Sequence, residues 1–104
     1  MNENAFQAKL KKELKERFPG CRVHKLDDVQ GASDLIFLYK KFWGVLECKK
    51  KEDAHHQPNQ DYYVNLYDKM SFARFIYPEN KEQVLNELQQ ACKFRRATRL
   101  SRSK

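Results

Sequence analysis

One stretch of the chain, residues 31–51, constrains the fold more than any other. It reads GASDLIFLYKKFWGVLECKKK, with two short runs rich in aromatic and branched residues on either side of a Lys-Lys pair. Runs of this length and composition predict two β-strands joined by a tight turn at Tyr39-Lys40-Lys41-Phe42. Because both runs are almost continuously apolar, we expect helices to cover both faces of the strand pair.

Charged residues stand at the ends of this predicted hairpin. Asp34 opens the first strand, and Glu47 and Lys49 close the second. Since side chains alternate across a strand, Glu47 and Lys49 share one face, whereas Cys48 points to the other and is expected in the core. Pairing around the turn carries Asp34 back beside Glu47. Two carboxylates and an ammonium would then converge, a set that suits a divalent metal with a general base or charge stabiliser beside it.

The segment before the hairpin has helical and then strand periodicity. Residues 2–18 carry an apolar side chain at every fourth position, which predicts a helix with Asn2 as its cap. Pro19-Gly20 ends this helix, and residues 21–26 alternate between apolar and polar as a half-buried strand does. Residues 27–33 are expected to form a loop.

After the hairpin, a polar loop leads to Pro58, which suits the first turn of a helix ending near Met70. The apolar stripe of that helix is expected at Tyr62, Leu66 and Met70. Residues 72–77 predict a short strand, and residues 79–93 a last helix. The fold class is therefore α/β, in the order α-β-β-β-α-β-α, with a central mixed sheet flanked by helices in one domain, residues 1–92.

The charge of the chain is unevenly distributed. The net charge is +7, but residues 93–104 hold six Lys or Arg and no acid, so residues 1–92 have 15 basic against 14 acidic side chains. The segment 93–104 is expected to be a flexible basic tail, either solvated or bound to phosphates without sequence preference.

Several classes of protein are excluded by composition. No apolar run approaches the roughly 20 residues of a membrane-spanning helix, and the first residues lack the basic-then-apolar pattern of a secretory signal. The three cysteines are odd in number and far apart, which argues against disulfides. We expect a cytoplasmic protein with no membrane partner.

The arrangement of Asp34 and, after a hairpin, Glu47-Cys48-Lys49 resembles the PD-(D/E)XK nuclease superfamily. The closer similarity is to its VRR-NUC branch and to small phage nucleases that resemble Holliday-junction resolvases. An ExxFQxxL pattern from Glu3 to Leu10 and the segment QPNQDYY, with Gln60 early in the next helix, extend the resemblance over residues 3–92. Ser33 stands where the family usually has proline, a departure that removes no metal ligand.

This resemblance implies a restriction-endonuclease-like core and a Mg²⁺- or Mn²⁺-dependent endodeoxyribonuclease acting on duplex or branched, junction-like DNA. Asp34, Glu47 and the backbone carbonyl of Cys48 would hold the metal, joined by Glu3 from the first helix, with Glu13 as the alternative helix carboxylate. Lys49 would orient the attacking hydroxide or stabilise the transition state, and Gln60 would orient water or a phosphate.

Phosphate contacts are expected from basic and polar side chains near the hairpin and in the tail. They are Lys40, Lys41, Lys50, Lys51, His56, Gln57, Arg95 and Arg96. One small domain offers one active site, so cutting both strands implies a homodimer. The resemblance also implies a phage-encoded protein in a bacterial host.

Each assignment has a simpler alternative. Glu47 and Lys49 would otherwise be an exposed ion pair that contributes little, Glu3 a first-turn acid, and Gln60 a solvated helix residue. Tyr62 is expected to pack rather than to stack on bases. The alternative function is a non-catalytic protein that binds nucleic acid or another partner on a nuclease scaffold.

Overall fold

A computed structural model of the chain describes residues 3–26, 34–56 and 59–102. They form a mixed four-stranded sheet and three helices in the predicted order α-β-β-β-α-β-α. The elements are α1 (Glu3–Arg17), β1 (Arg22–Leu26), β2 (Asp34–Tyr39), β3 (Phe42–Cys48), α2 (Gln60–Met70), β4 (Ala73–Ile76) and α3 (Lys81–Arg102). The predicted cap Asn2, the loop 27–33 and Pro58 lie outside the described residues.

The sheet runs β1-β2-β3-β4, so strand order follows chain order. The pairs β1·β2 and β2·β3 are antiparallel, and α2 is the crossover that makes β4 parallel to β3. The β2–β3 turn consists of Lys40 and Lys41, as predicted, and Lys40 has a φ of 58°, in the left-handed region. This turn sets a register in which Asp34 is the partner of Glu47.

The two faces of the sheet carry separate cores. The larger core lies between the sheet and α1 and α3, and Cys48 is fully buried in it as predicted. The smaller core lies under α2, around Val45, Val64 and Ala73. Because α2 lies over β3 and β4, the second face of β2 is partly open, and Leu38 is 37% exposed. The prediction that helices cover both faces is confirmed for β3. It is wrong for β2 around Leu38.

The predicted inner face of α2 is also wrong. Tyr62 and Met70 are 63% and 59% exposed and Leu66 is 37% exposed, whereas Gln60 and Val64 are the buried residues of this helix. The helix instead turns toward the sheet the stripe that contains Gln60, Val64 and Tyr67, of which Val64 and Tyr67 pack in the smaller core.

The last helix is longer than predicted. It continues to Arg102, nine residues past Lys93. The added segment contains Arg, Ala and Leu, which favour helix, and neither Gly nor Pro. No helix in the described part of the chain combines the length and the apolarity that spanning a bilayer requires.

Candidate active site

The end of the hairpin opposite its turn brings the central residues of the predicted site to one level of the sheet. Glu47 on β3 is paired with Asp34 on β2 and with Phe75 on β4. Directly opposed positions of an antiparallel pair lie on the same face, with Cβ atoms about 4.5–5.5 Å apart. The predicted neighbourhood of Asp34 and Glu47 is therefore present in the backbone. The side chain of Asp34 lies outside the described residues.

Three polar side chains are buried here in one hydrogen-bonded chain. Glu47, Gln60 and Lys49 are 2%, 3% and 6% exposed. The Nζ of Lys49 donates to the Oε1 of Gln60 over 2.6 Å, and the Nε2 of Gln60 donates to the Oε1 of Glu47 over 2.9 Å. The side-chain amide of Gln60 thus lies between an ammonium and a carboxylate. Its orientation suits both groups, since its oxygen accepts from the ammonium and its nitrogen donates to the carboxylate.

This burial contradicts two of the simpler interpretations. Glu47 and Lys49 are not an exposed ion pair, and Gln60 is not a solvated helix residue. Lys and Glu are almost never fully buried unless they are paired, because removing an ion from water costs several kcal/mol. A buried pair of charges contributes little net stability, so a gain in fold stability does not account for this network.

Local structure explains how these side chains meet. Glu47 and Lys49 are two residues apart at the end of β3 and therefore lie on the same face of the sheet. The backbone N–H of Lys49 donates to the backbone carbonyl of Ile76 on β4. Gln60 is the first residue of α2. The partial positive charge of a helix N-terminus favours a nearby carboxylate, here that of Glu47.

The position of helix α1 bears on the predicted role of Glu3. Phe18, which follows α1, packs edge-on against Phe37 and Tyr39, with ring centroids 5.0 and 5.6 Å away, so the C-terminal end of α1 lies near the hairpin turn. A helix of 15 residues is about 22 Å long, comparable to the roughly 20 Å of β2, so α1 is long enough to reach the Asp34 end of the sheet. It packs on the face that carries Leu46 and Cys48, opposite the face of Glu47. The side chain of Glu3 is outside the described residues.

The alternative carboxylate of α1 has a different partner. The Oε2 of Glu13 accepts a hydrogen bond from the Nζ of Lys81 on α3 over 2.8 Å, so Glu13 joins two helices rather than the site. Gln7, one turn after Glu3, is 8% exposed. In the sequence, Gln7 is noted only as part of the ExxFQxxL pattern. That pattern does not predict that its side chain is buried.

The loop between β3 and α2 adds residues that sequence reasoning assigned elsewhere or missed. The backbone carbonyl of His55 accepts from the Nζ of Lys49 over 3.3 Å. The ring of His56 stacks on Phe75 with centroids 4.1 Å apart, and its Nδ1 lies 3.0 Å from the Oδ1 of Asp61. No pattern in the sequence predicts that Asp61 or Phe75 contacts His56.

The basic residues expected to contact phosphate are divided between two places. Lys40 and Lys41 are exposed at the hairpin turn, whereas Lys50 and Lys51 are exposed beside the buried network. The length of β3 separates these pairs by roughly 20 Å, so they form two groups of positive charge at opposite ends of the strand. Gln57 lies outside the described residues, as do the side chains of Arg95 and Arg96, whose backbone belongs to α3.

The donor set fits a hard divalent cation. Mg²⁺ prefers carboxylate and carbonyl oxygens, and the residue types Asp34, Glu47 and the adjacent backbone of Cys48 supply them where Asp34 pairs with Glu47. Among the side chains that the structure describes, no three His, Cys, Asp or Glu groups converge as a ready metal site. Two of the three expected carboxylates, those of Glu3 and Asp34, are not among those side chains.

Comparisons of the chain with protein-family models, with curated proteins and with solved structures give no match.

Proposed function

We propose that this protein is a metal-dependent endodeoxyribonuclease with a restriction-endonuclease-like fold, acting on duplex or branched DNA. The observation that carries the proposal is the buried chain from Lys49 through Gln60 to Glu47, at the level where Asp34 opposes Glu47. Its support is chemical: a carboxylate pair and a held ammonium on one face are what phosphodiester hydrolysis requires.

Each residue has a role that follows from its type and position. Glu47, Asp34 and the carbonyl of Cys48 would hold Mg²⁺ or Mn²⁺, which when bound supplies an acidified water and neutralises charge on the phosphate. The ammonium of Lys49 stabilises the charge that develops on the phosphate in the transition state. Gln60 fixes both groups before DNA arrives, so little reorganisation is needed during the reaction.

A cleavage assay tests the proposal. Purified protein is incubated with linear duplex, single-stranded and four-way-junction DNA, in Mg²⁺, in Mn²⁺ and in EDTA. The variants Glu47→Gln and Lys49→Met remove one charge each with little change in volume. Glu79→Gln and Lys69→Met make the same substitutions at exposed positions and serve as matched controls.

We expect metal-dependent cleavage that both site variants lose by at least about 100-fold, while the controls keep it. DNA binding without cleavage of any substrate would instead favour the non-catalytic alternative. Cleavage that survives Glu47→Gln would show that the site is elsewhere.

The proposal includes a homodimer, since one small domain with one site cuts one strand at a time. Two copies related by a two-fold axis would present two sites at a fixed separation. Light scattering at micromolar protein, with and without DNA, measures the mass directly. A monomer under both conditions would contradict this part of the proposal.

A further inference from the structure

The loop of residues 50–59 connects the two ends of the buried network, because Lys49 precedes it and Gln60 follows it. It also contributes to the network directly. The carbonyl of His55 accepts from the ammonium of Lys49, which also donates to Gln60. The position of this one backbone carbonyl therefore helps to decide where the ammonium sits.

Surface contacts within the loop hold it weakly. Lys51 and Asp53 form an ion pair at 3.7 Å with side chains 57% and 83% exposed, a kind of pair that contributes about 0–1 kcal/mol. A backbone hydrogen bond from Ala54 to Lys51, at 3.2 Å, closes one turn. Neither contact connects the loop to the sheet.

The side chain of His56 makes that connection. Its ring lies nearly parallel to that of Phe75, at an interplanar angle of 22° and a centroid distance of 4.1 Å. Phe75 is the neighbour of Glu47 in the sheet. The Nδ1 of His56 is 3.0 Å from the carboxylate of Asp61, in the first turn of α2. One imidazole thus joins the loop to both elements that carry the network.

We propose that His56 is a positioning residue of the active site, which fixes the carbonyl of His55 and through it the ammonium of Lys49. This inference rests on the proposed nuclease function and replaces the phosphate contact that the sequence suggested for His56. The carboxylate of Asp61 beside the ring disfavours a phosphate at the same place, since like charges repel.

The kinetic test separates positioning from DNA contact. Three variants are compared with wild type under single-turnover and steady-state conditions: His56→Ala removes both contacts, His56→Phe keeps an aromatic ring for Phe75 but loses Asp61, and Asp61→Ala removes the hydrogen-bond partner at an exposed position. His24→Ala, at an exposed position of β1, is the matched control.

We expect His56→Ala to lower kcat by about 10- to 100-fold, because small displacements of a catalytic group have effects of this size. The KM for DNA and its salt dependence should stay unchanged, and His56→Phe and Asp61→Ala should show smaller losses of kcat. An unchanged kcat with a raised KM and a smaller salt slope would overturn the proposal, since a lost phosphate contact has that signature.

A spectroscopic measurement is independent of cleavage. In protein labelled with ¹⁵N-lysine, a held and buried ammonium exchanges slowly and gives an NH₃⁺ cross-peak, assigned to Lys49 by its absence in Lys49→Met. We expect the cross-peak to disappear or shift in His56→Ala and to persist in His24→Ala. If His56→Ala fails to fold, the same change is expected in Asp61→Ala, which removes the hydrogen-bond partner of His56. An unchanged cross-peak in a folded His56→Ala and in Asp61→Ala would overturn the proposal. If wild type does not cleave DNA, the proposed function fails while this measurement still decides the positioning role.

Discussion

Replacing Gln60 with methionine tests whether the buried network is carried for stability or for chemistry. Gln60 makes two hydrogen bonds to charged groups, at 2.6 and 2.9 Å, while 3% exposed. Hydrogen bonds to charged groups contribute about 1.5–3 kcal/mol each. Because Glu47 and Lys49 have other interactions and can recruit water, we expect a loss near the lower end, about 3 kcal/mol. That is a large fraction of the roughly 5–15 kcal/mol by which a domain is stable.

The informative comparison is with the triple variant Glu47→Met, Lys49→Met, Gln60→Met. Removing one member leaves buried charges with fewer partners, whereas removing all three removes the desolvation cost as well. Replacing buried ionic groups with apolar side chains of similar volume is often neutral or stabilising by about 1–4 kcal/mol. We therefore expect the triple variant to be at least as stable as wild type, although the single variant is much less stable.

Equilibrium unfolding in urea, followed by circular dichroism, measures these differences, and unchanged m-values show that the same transition is compared. Gln90→Met, at an exposed position of α3, is the control and should shift stability by less than about 0.5 kcal/mol. If the triple variant proves less stable than Gln60→Met alone, the network stabilises the fold and the argument that it is maintained for chemistry is refuted.

Three further predictions concern the metal, the hairpin turn and a cysteine. Millimolar Mg²⁺ should raise the thermal unfolding midpoint of wild type by several degrees but not that of Glu47→Gln, with KCl of equal ionic strength as control; no difference between them would count against the metal site. Lys40→Gly should raise stability in urea by about 0.5–1 kcal/mol, because φ is 58° at Lys40 and glycine adopts this region freely; a loss would contradict the turn geometry. Burial raises the pKa of Cys92 from 9.0 to about 11, so its alkylation at pH 8 should be roughly 100-fold slower than that of an unperturbed thiol of pKa 9.0, as mass spectrometry can measure. The unfolded thiol loses its proton first, so this group lowers stability as pH rises from about 9 to 11, an effect that Cys92→Ala should remove.

The hairpin could be predicted in register because its information is local. Two residues between the apolar runs leave room for one tight turn, and strand alternation then pairs Asp34 with Glu47. The length of α3 was missed for the opposite reason. Basic residues such as Arg95 and Arg96 are equally compatible with a solvated tail and with a continuing helix, and periodicity has no apolar stripe there to decide between them.

The positioning of His56 was beyond sequence reasoning because it depends on contacts between separate elements. Phe75 and His56 are 19 positions apart in the chain and meet only because β4 pairs with β3 beside Glu47. A polar loop that contains two adjacent histidines gives no indication of which ring is held and which is exposed. The distinction exists only once the sheet has formed.

The face that α2 buries differs from the one that the sequence predicted. Two stripes compete on this helix: the apolar one at Tyr62, Leu66 and Met70, and the one that contains Gln60 and Val64. Both stripes are largely apolar, since the second also contains Tyr67, which packs with Val64 in the smaller core. The rotation that buries the second stripe also brings the Gln60 amide between the carboxylate of Glu47 and the ammonium of Lys49. One rotation of α2 therefore serves both the smaller core and the polar network, and periodicity alone could not choose between two stripes of similar apolarity.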